Sequence, residues 1–387
     1  MRDRQSLTRD VQKGLARITD TQAEDWFFVY RARYGVETVL RVVAEHAGTG
    51  EVITQPFTCT TALNPIMSAG HIPVYIDTSY DDLSLDTSKL NASNSARAII
   101  MQHSFGMESD MKKARTFATT HTLLLIEDSA HQLGLIARDN NAPLADVSVH
   151  SFGVEKLLPT KFGGAVWVNP DMKNTTLRDA LRESLSNLPV VTPASAGRAK
   201  RYRGINRLLN HTPSFFEPSL RSFVTKVGLF ESAIMPDEVT GKNHDVAAQP
   251  SAFMLQEMAD ALQHYKQILK KRREAAEVYL GAMPSEFTVP KGMEKGAAPV
   301  RFPVLCKDKA TAQHLFDALR AEGHYSGKWY RPILFPGTLN PAPYNYDSES
   351  YPAAEDISAR ILNLPTNISV EEAKEIVDVL RRQTNRQ

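Results

Sequence analysis

Cysteine is almost missing from this chain: Cys59 and Cys306 are the only two in 387 residues, and they lie far apart. That excludes a disulfide framework and suits a reducing compartment, so a cytoplasmic protein is expected. An excess of one charge is missing too, since 45 basic and 44 acidic residues leave a formal net charge of +1. Without such an excess, neither nucleic acid nor an anionic membrane is expected as a partner. No apolar run approaches the roughly 18–20 residues that cross a bilayer. Residues 1–14 also lack the apolar core of a secretory signal. Internal repeats and low-complexity tracts are absent. Eleven histidines and two cysteines show no zinc-ligand spacing, so no metal is expected.

What is present is enough apolar sequence, 42% against 23% charged, to bury the cores of two domains at this length. From about residue 35, short apolar runs alternate with helical stretches. Strands are expected at 51–54, 72–77, 97–103, 122–128, 147–152 and 164–169, with helices at 36–45, 60–68 and 109–120. This alternation predicts an α/β fold with a largely parallel sheet and sites at the carboxyl ends of its strands. Residues 173–245 are polar and broken by prolines, and read as a helical and loop excursion over the large domain, 1–250. A long amphipathic helix carrying Met254, Met258, Leu262, Tyr265 and Leu269 follows. It links to a small α/β domain, the two together spanning 251–387. That domain has a strand at 300–306 and helices at 309–321 and 370–382, and Ser369 and Glu372 are spaced as a capping box for the last.

Two of the strands end in chemistry. Asp128 closes one and Ser151 the other, with Lys156 five residues beyond and the pair Gly163-Gly164 after it. A carboxylate, a hydroxyl and an amine delivered by neighbouring strand ends suit pyridoxal 5′-phosphate (PLP). The lysine can form an imine with the cofactor aldehyde and move protons once substrate displaces it. A buried aspartate keeps the pyridine nitrogen protonated. A small hydroxyl and backbone N–H groups can hold a phosphate. Lys161 is a rival amine only five residues away.

Several motifs in order resemble the DegT/StrS-type sugar aminotransferases, PLP enzymes of the aspartate aminotransferase fold (type I). They are GEVITQPFTCTTALNPIMSAGHIPVYID (50–77), GMESDM (106–111), IEDSAHQLG (126–134), SFGVEKLLPTKFGG (151–164) and LNLP (362–365). The resemblance implies a seven-stranded, mostly parallel sheet in the large domain and a homodimer. It also implies transfer of an amino group from L-glutamate or a similar donor to a nucleotide-linked keto sugar in surface polysaccharide or amino-sugar synthesis. Position by position, Lys156 takes the imine-forming lysine, Asp128 the pyridine-nitrogen partner, His131 a place near the ring and its phenolic oxygen, and Ser151 a phosphate contact. Gly35 and Val36 match the turn that opens the first helix, where amides meet the phosphate.

The chain also departs from the family pattern. Val36 replaces a hydroxyl residue, Cys59 an aromatic one against the cofactor, and Phe162 a glutamate before the glycine pair. The family's Asn-Tyr-Arg, which reaches a neighbouring subunit, has no counterpart near 247–249. These departures leave open a catalytically altered or regulatory member of the fold. A PLP-dependent sugar dehydratase is the other alternative, although such members carry histidine where this chain has Lys156.

Overall fold

The short apolar runs line up as one twisted sheet. The computed structural model describes residues 2–384 apart from 159, 213–215, 233, 236, 237, 239, 242–245 and 339–341. Its first strands are β1 (Trp26–Val29), β2 (Glu51–Thr54), β3 (Ile72–Tyr75), β4 (Ala96–Gln102) and β5 (Leu124–Ser129). After a minor hairpin, β6 (Arg138–Asp139) and β7 (Ala142–Pro143), come β8 (Val147–Ser151) and β9 (Gly164–Val168). Among the described residues seven strands pair in the order β1-β9-β8-β5-β4-β2-β3. Both pairings of β9 are antiparallel and all the others parallel. Every residue of β5 and β9 is buried, as a sheet covered on both faces requires.

Helices α1 (Arg4–Thr19), α2 (Ala32–Ala47), α3 (Thr60–Ser68), α4 (Met111–Thr120) and α5 (Thr175–Ser186) clothe this sheet. Leu177, Leu181 and Leu185 of α5 join the main core, so the excursion expected from residue 173 leaves the core only after α5. Its outer part contains α6 (Pro193–Asn210) and α7 (Glu217–Lys226). The single long helix expected next is two helices, α8 (Ala252–Gln263) and α9 (Tyr265–Ala282), which break at His264. Each half has its own partner. Leu255, Met258 and Leu262 of α8 pack with Leu7, Val11 and Leu15 of α1. In α9, Arg272 Nη1 donates to Val300 O (2.8 Å) and Thr366 Oγ1 (2.7 Å). Packing thus sets α8 with the large sheet and turns the chain at 264.

The C-terminal part pairs β10 (Arg301–Leu305) antiparallel with β11 (Ile361–Pro365), with α10 (Lys309–Ala321), α11 (Pro352–Arg360) and α12 (Val370–Thr384) around them. Ser369 Oγ accepts the Glu372 N–H at 3.1 Å, one half of the expected capping box.

A second correction bears on the site. Helix α2 opens at Ala32, with extended Arg31 as its cap, four residues before the expected start at Val36. Gly35 is therefore inside the helix and does not form its opening turn. A Cβ there would lie 2.5 Å from Cγ2 of Val166, a fully buried residue of β9. The glycine lets α2 lie flat on the sheet. Alanine would gain up to about 1 kcal/mol of helix propensity, but forcing a methyl into a filled core costs about 1–3 kcal/mol. Gly35→Ala is expected to lower the denaturant midpoint of unfolding; a raised midpoint would contradict this packing.

Candidate active site

Because β9 runs against its neighbours, the chain between β8 and β9 must fold back over the carboxyl ends of the parallel strands. Thr160 closes that loop, its hydroxyl lying 2.8 Å from both Phe152 O and Phe162 O. The Phe152 N–H donates to Gly163 O (3.0 Å), and Gly163 N–H to Tyr30 O (2.8 Å). The glycine pair is required by close approach. Gly163 has φ +113° with Met258 Cε where a Cβ would stand, and a Cβ on Gly164 would lie 2.7 Å from the backbone of Ala32. Helix α2 can therefore begin directly against the strand end.

The loop carries Lys156 into a cavity of about 620 Å³. Of the residues marked in the sequence, Asp128, His131, Ser151, Lys156, Val36 and Cys59 all line it, whereas Gly35 does not. Burial lowers the Lys156 amine to about 8, against the upward pull of the Asp128 carboxylate. Burial raises Asp128, while the Ala130 N–H and Lys156 hold it down. One Asp128 oxygen, Oδ1, accepts that N–H at 2.9 Å; the other accepts no hydrogen bond among the described residues. Lys161 lines the same cavity, and its amine is also lowered by burial, but Asp128 does not act on it. Behind Asp128, His103 Nε2 meets Glu127 Oε1 at 2.9 Å, both fully buried. Burial opposes that pair's charges, but their mutual attraction prevails, raising His103 and lowering Glu127.

Ser151, Ala32, Arg33 and Val36 line the same cavity, and Ala32 and Arg33 lie in the first turn of α2. Cys59 caps α3 and accepts from Thr61 Oγ1 at 3.1 Å. Phe162 stacks on Tyr30 with ring centroids 5.6 Å apart, and carries the Arg31 guanidinium at 5.0 Å.

His131 is tied into the fold through both ring nitrogens. Its Nδ1 accepts the Phe105 N–H at 3.1 Å and its Nε2 meets the Tyr330 hydroxyl at 3.0 Å. Both nitrogens are engaged, and burial with the nearby Lys156 and Arg301 charges pushes its pKa well down, so the ring is neutral. Trp329 stacks on it at 4.8 Å and 6°. His131 therefore orients protein aromatics instead of presenting a free nitrogen.

Arg301, Tyr325, Trp329 and Tyr330 complete the wall from the C-terminal side. Sequence reasoning singled out none of these four. The available signal was the run Trp329-Tyr330-Arg331-Pro332, bulky aromatics before a turn. The residues present fit PLP: an amine, a carboxylate with an oxygen to spare, a hydroxyl and the first turn of a helix share one cavity.

The comparisons agree with this geometry. GDP-perosamine synthase of Caulobacter vibrioides is 34% identical over 136 residues, 34% of this chain and 37% of that protein. The spore coat polysaccharide biosynthesis protein SpsC of Bacillus subtilis is 33% identical over 129 residues, 32% and 33% of the two chains. The chain thus matches only about a third of the length of these curated relatives. The solved structure of Helicobacter pylori PseC, an aminotransferase involved in the biosynthesis of pseudoaminic acid, superposes with a TM-score of 0.72 at 20% identity. The superposition covers 99% of this chain and 91% of that one, so the fold is shared. A sequence model of one PLP-dependent family matches residues 32–210 and 222–381, and the chain belongs to that family, the DegT/DnrJ/EryC1/StrS aminotransferases.

Proposed function

We propose that the protein is a PLP-dependent aminotransferase that moves an amino group from L-glutamate, or a similar amino acid, to a nucleotide-linked keto sugar. The product would serve polysaccharide or amino-sugar synthesis. The observation that carries this reading is Lys156 and Asp128 electrostatically coupled in one cavity that Ser151 and the start of α2 also line. When bound, PLP supplies an electron-accepting ring that makes the hydrogen on the donor's α-carbon removable.

The chain's own residues do the rest. Lys156 anchors the cofactor and is freed when the donor's amine takes its place. Its amine then accepts the α-carbon proton and returns it on the cofactor side. An amine held near 8 suits both directions of that transfer near neutral pH. Asp128 faces the ring nitrogen, its charge sheltered from water and so more effective. Ser151 and the amides of Ala32 and Arg33 take the phosphate. The donor leaves as its keto acid, and the sugar ketone gains the nitrogen as the same steps run in reverse.

Assembly as a homodimer is part of this reading. Leu208, Phe216, Phe223, Val227 and Leu229 are exposed on the excursion, an apolar patch suited to a second subunit. Two unpaired cysteines suit the reducing cytoplasm, and no helix among the described residues is long and apolar enough to cross a membrane.

Three outcomes are expected. Protein saturated with PLP should exchange its visible absorbance band for a near-ultraviolet one on adding L-glutamate. Lys156→Ala should slow that at least about a hundredfold, whereas Lys161→Ala should retain it; the opposite pattern would transfer the role to Lys161. Second, the neutral amine is the attacking form, so PLP uptake should rise about tenfold from pH 7 to pH 9 and level off there. An ordinary lysine near 10.4 would continue to rise. Third, sedimentation should find a dimer that Phe223→Asp weakens; a wild-type monomer would remove the dimer from the proposal.

A further inference from the structure

The hydrogen bonds of His131 leave one proton over. The Phe105 N–H can only donate, and it meets Nδ1 at 3.1 Å. Nδ1 is therefore bare, since a hydrogen there would stand against the amide hydrogen. The single hydrogen of the neutral ring sits on Nε2, which faces the Tyr330 oxygen at 3.0 Å. His131 donates and Tyr330 accepts. The hydroxyl's own hydrogen then has no acceptor among the described residues, because Tyr330 makes no other side-chain hydrogen bond there.

That hydroxyl belongs to the cavity wall. Tyr330 is 3% exposed and lines the cavity that holds Lys156 and Asp128. Its ring is fixed in place: Phe57 meets it edge-on with centroids 5.3 Å apart, and Ser358 Oγ donates to its carbonyl oxygen at 2.8 Å. The Trp329 ring stacks on both His131 and Tyr330, and Lys156 Nζ stands 4.7 Å from the same indole. Burial, with Cys59 and Asp128 close by, pushes the Tyr330 pKa well above its ordinary value against the pull of Arg301, so the group stays un-ionised. A neutral hydroxyl whose oxygen is already bonded keeps one donor direction free.

We propose that Tyr330 is a catalytic residue that passes protons to the oxygen of the ketone being aminated, with His131 as its positioning residue. The inference rests on the aminotransferase reading above. Exchanging a ketone oxygen for nitrogen releases water, so that oxygen must gain two protons. First a C–N bond forms and the C=O pair moves to oxygen. The oxygen takes the Tyr330 proton, and the tyrosine takes one from the attacking nitrogen. Then the C–O bond breaks, the nitrogen pair closes a C=N bond, and a second proton follows the same route into the departing water. Both protons come from the nitrogen, Tyr330 ends as it began, and nothing is oxidised or reduced. The Nε2–H of His131 holds the tyrosine oxygen and steadies the charge that builds on it during each exchange. Lys156 then handles only the proton bound to carbon.

The experiment uses PLP-saturated protein and L-glutamate in deuterium oxide. Exchange of the α-hydrogen requires no water step, whereas release of 2-oxoglutarate does. Tyr330→Phe should slow release about a hundredfold, while α-hydrogen exchange stays within about threefold of wild type. Protein carrying pyridoxamine phosphate should show the same loss in one turnover with 2-oxoglutarate, with little change in the half-saturating concentration. Nitrogen NMR of the wild type should find His131 bare at Nδ1 and protonated at Nε2.

Equal losses of exchange and release would make Tyr330 structural and overturn the proposal, as would no loss of either. A displaced pH midpoint of the visible band with normal release would assign the hydroxyl to the cofactor's phenolic oxygen and overturn it too. If Tyr330→Phe does not fold, the His131 tautomer decides: a hydrogen on Nε2 supports the proposal, and one on Nδ1 overturns it. A wild type that neither exchanges the α-hydrogen nor releases keto acid defeats the aminotransferase reading itself.

Discussion

The reversed direction of β9 governs everything at the site. Parallel strands leave their carboxyl ends free, and a crossover helix would carry the chain away from them. Between β8 and β9 the chain instead returns along the same edge, so residues 152–163 lie over the ends of β5 and β8. Thr160 and the glycine pair hold that return tight enough for Lys156 to be buried against Asp128. The same closeness lets α2 begin at the strand edge, where its first turn lines the cavity. One topological choice thus delivers the amine, the carboxylate and the anion-binding turn together.

Burial gives those groups their chemistry. A lysine in water would be protonated far above neutrality, but desolvation brings Lys156 down to about 8. The cost is borne by networks around the cavity. Glu127 and His103 neutralise each other behind Asp128. Glu231 accepts from Tyr30 at 2.7 Å and from Arg31 and Arg198, so the cations beside the start of α2 are matched within the fold. Breaking such a pair leaves an uncompensated buried charge, which costs far more than losing a surface ion pair. The site is rigid because its surroundings are internally paired.

Much of this was legible in the sequence, and the reasons differ by element. Strands 51–54, 147–152 and 164–169 could be read from their β-branched and apolar residues, which a sheet covered on both faces buries. Asp128, Ser151 and Lys156 followed because they sit at or just beyond such strands. The start of α2 was misread because Gly35 resembles a turn glycine, and only the Val166 methyl beneath it reveals a packing role. The break at His264 was hidden because the apolar spacing continues across it while the packing partner changes from α1 to the C-terminal part. Arg301 had no local signal at all. It is an arginine inside an apolar strand, and its meaning arises from Gly327, Trp329 and Glu155, which lie far from it in the chain.

The departures from the family pattern find partners of their own, which bears on whether they weaken the site. Phe162, where a glutamate is usual, stacks between Tyr30 and Tyr202 and supports Arg31. A carboxylate is still present nearby, since Glu231 supplies one to the same arginine from the excursion. Cys59, where an aromatic is usual, leaves space that the C-terminal side occupies: Tyr330 approaches it, and Phe335 pairs with the backbone on both sides of it. Trp329 adds an aromatic surface against Lys156. At Cys59 and at Phe162, side chains from other segments thus pack where the family residue is missing.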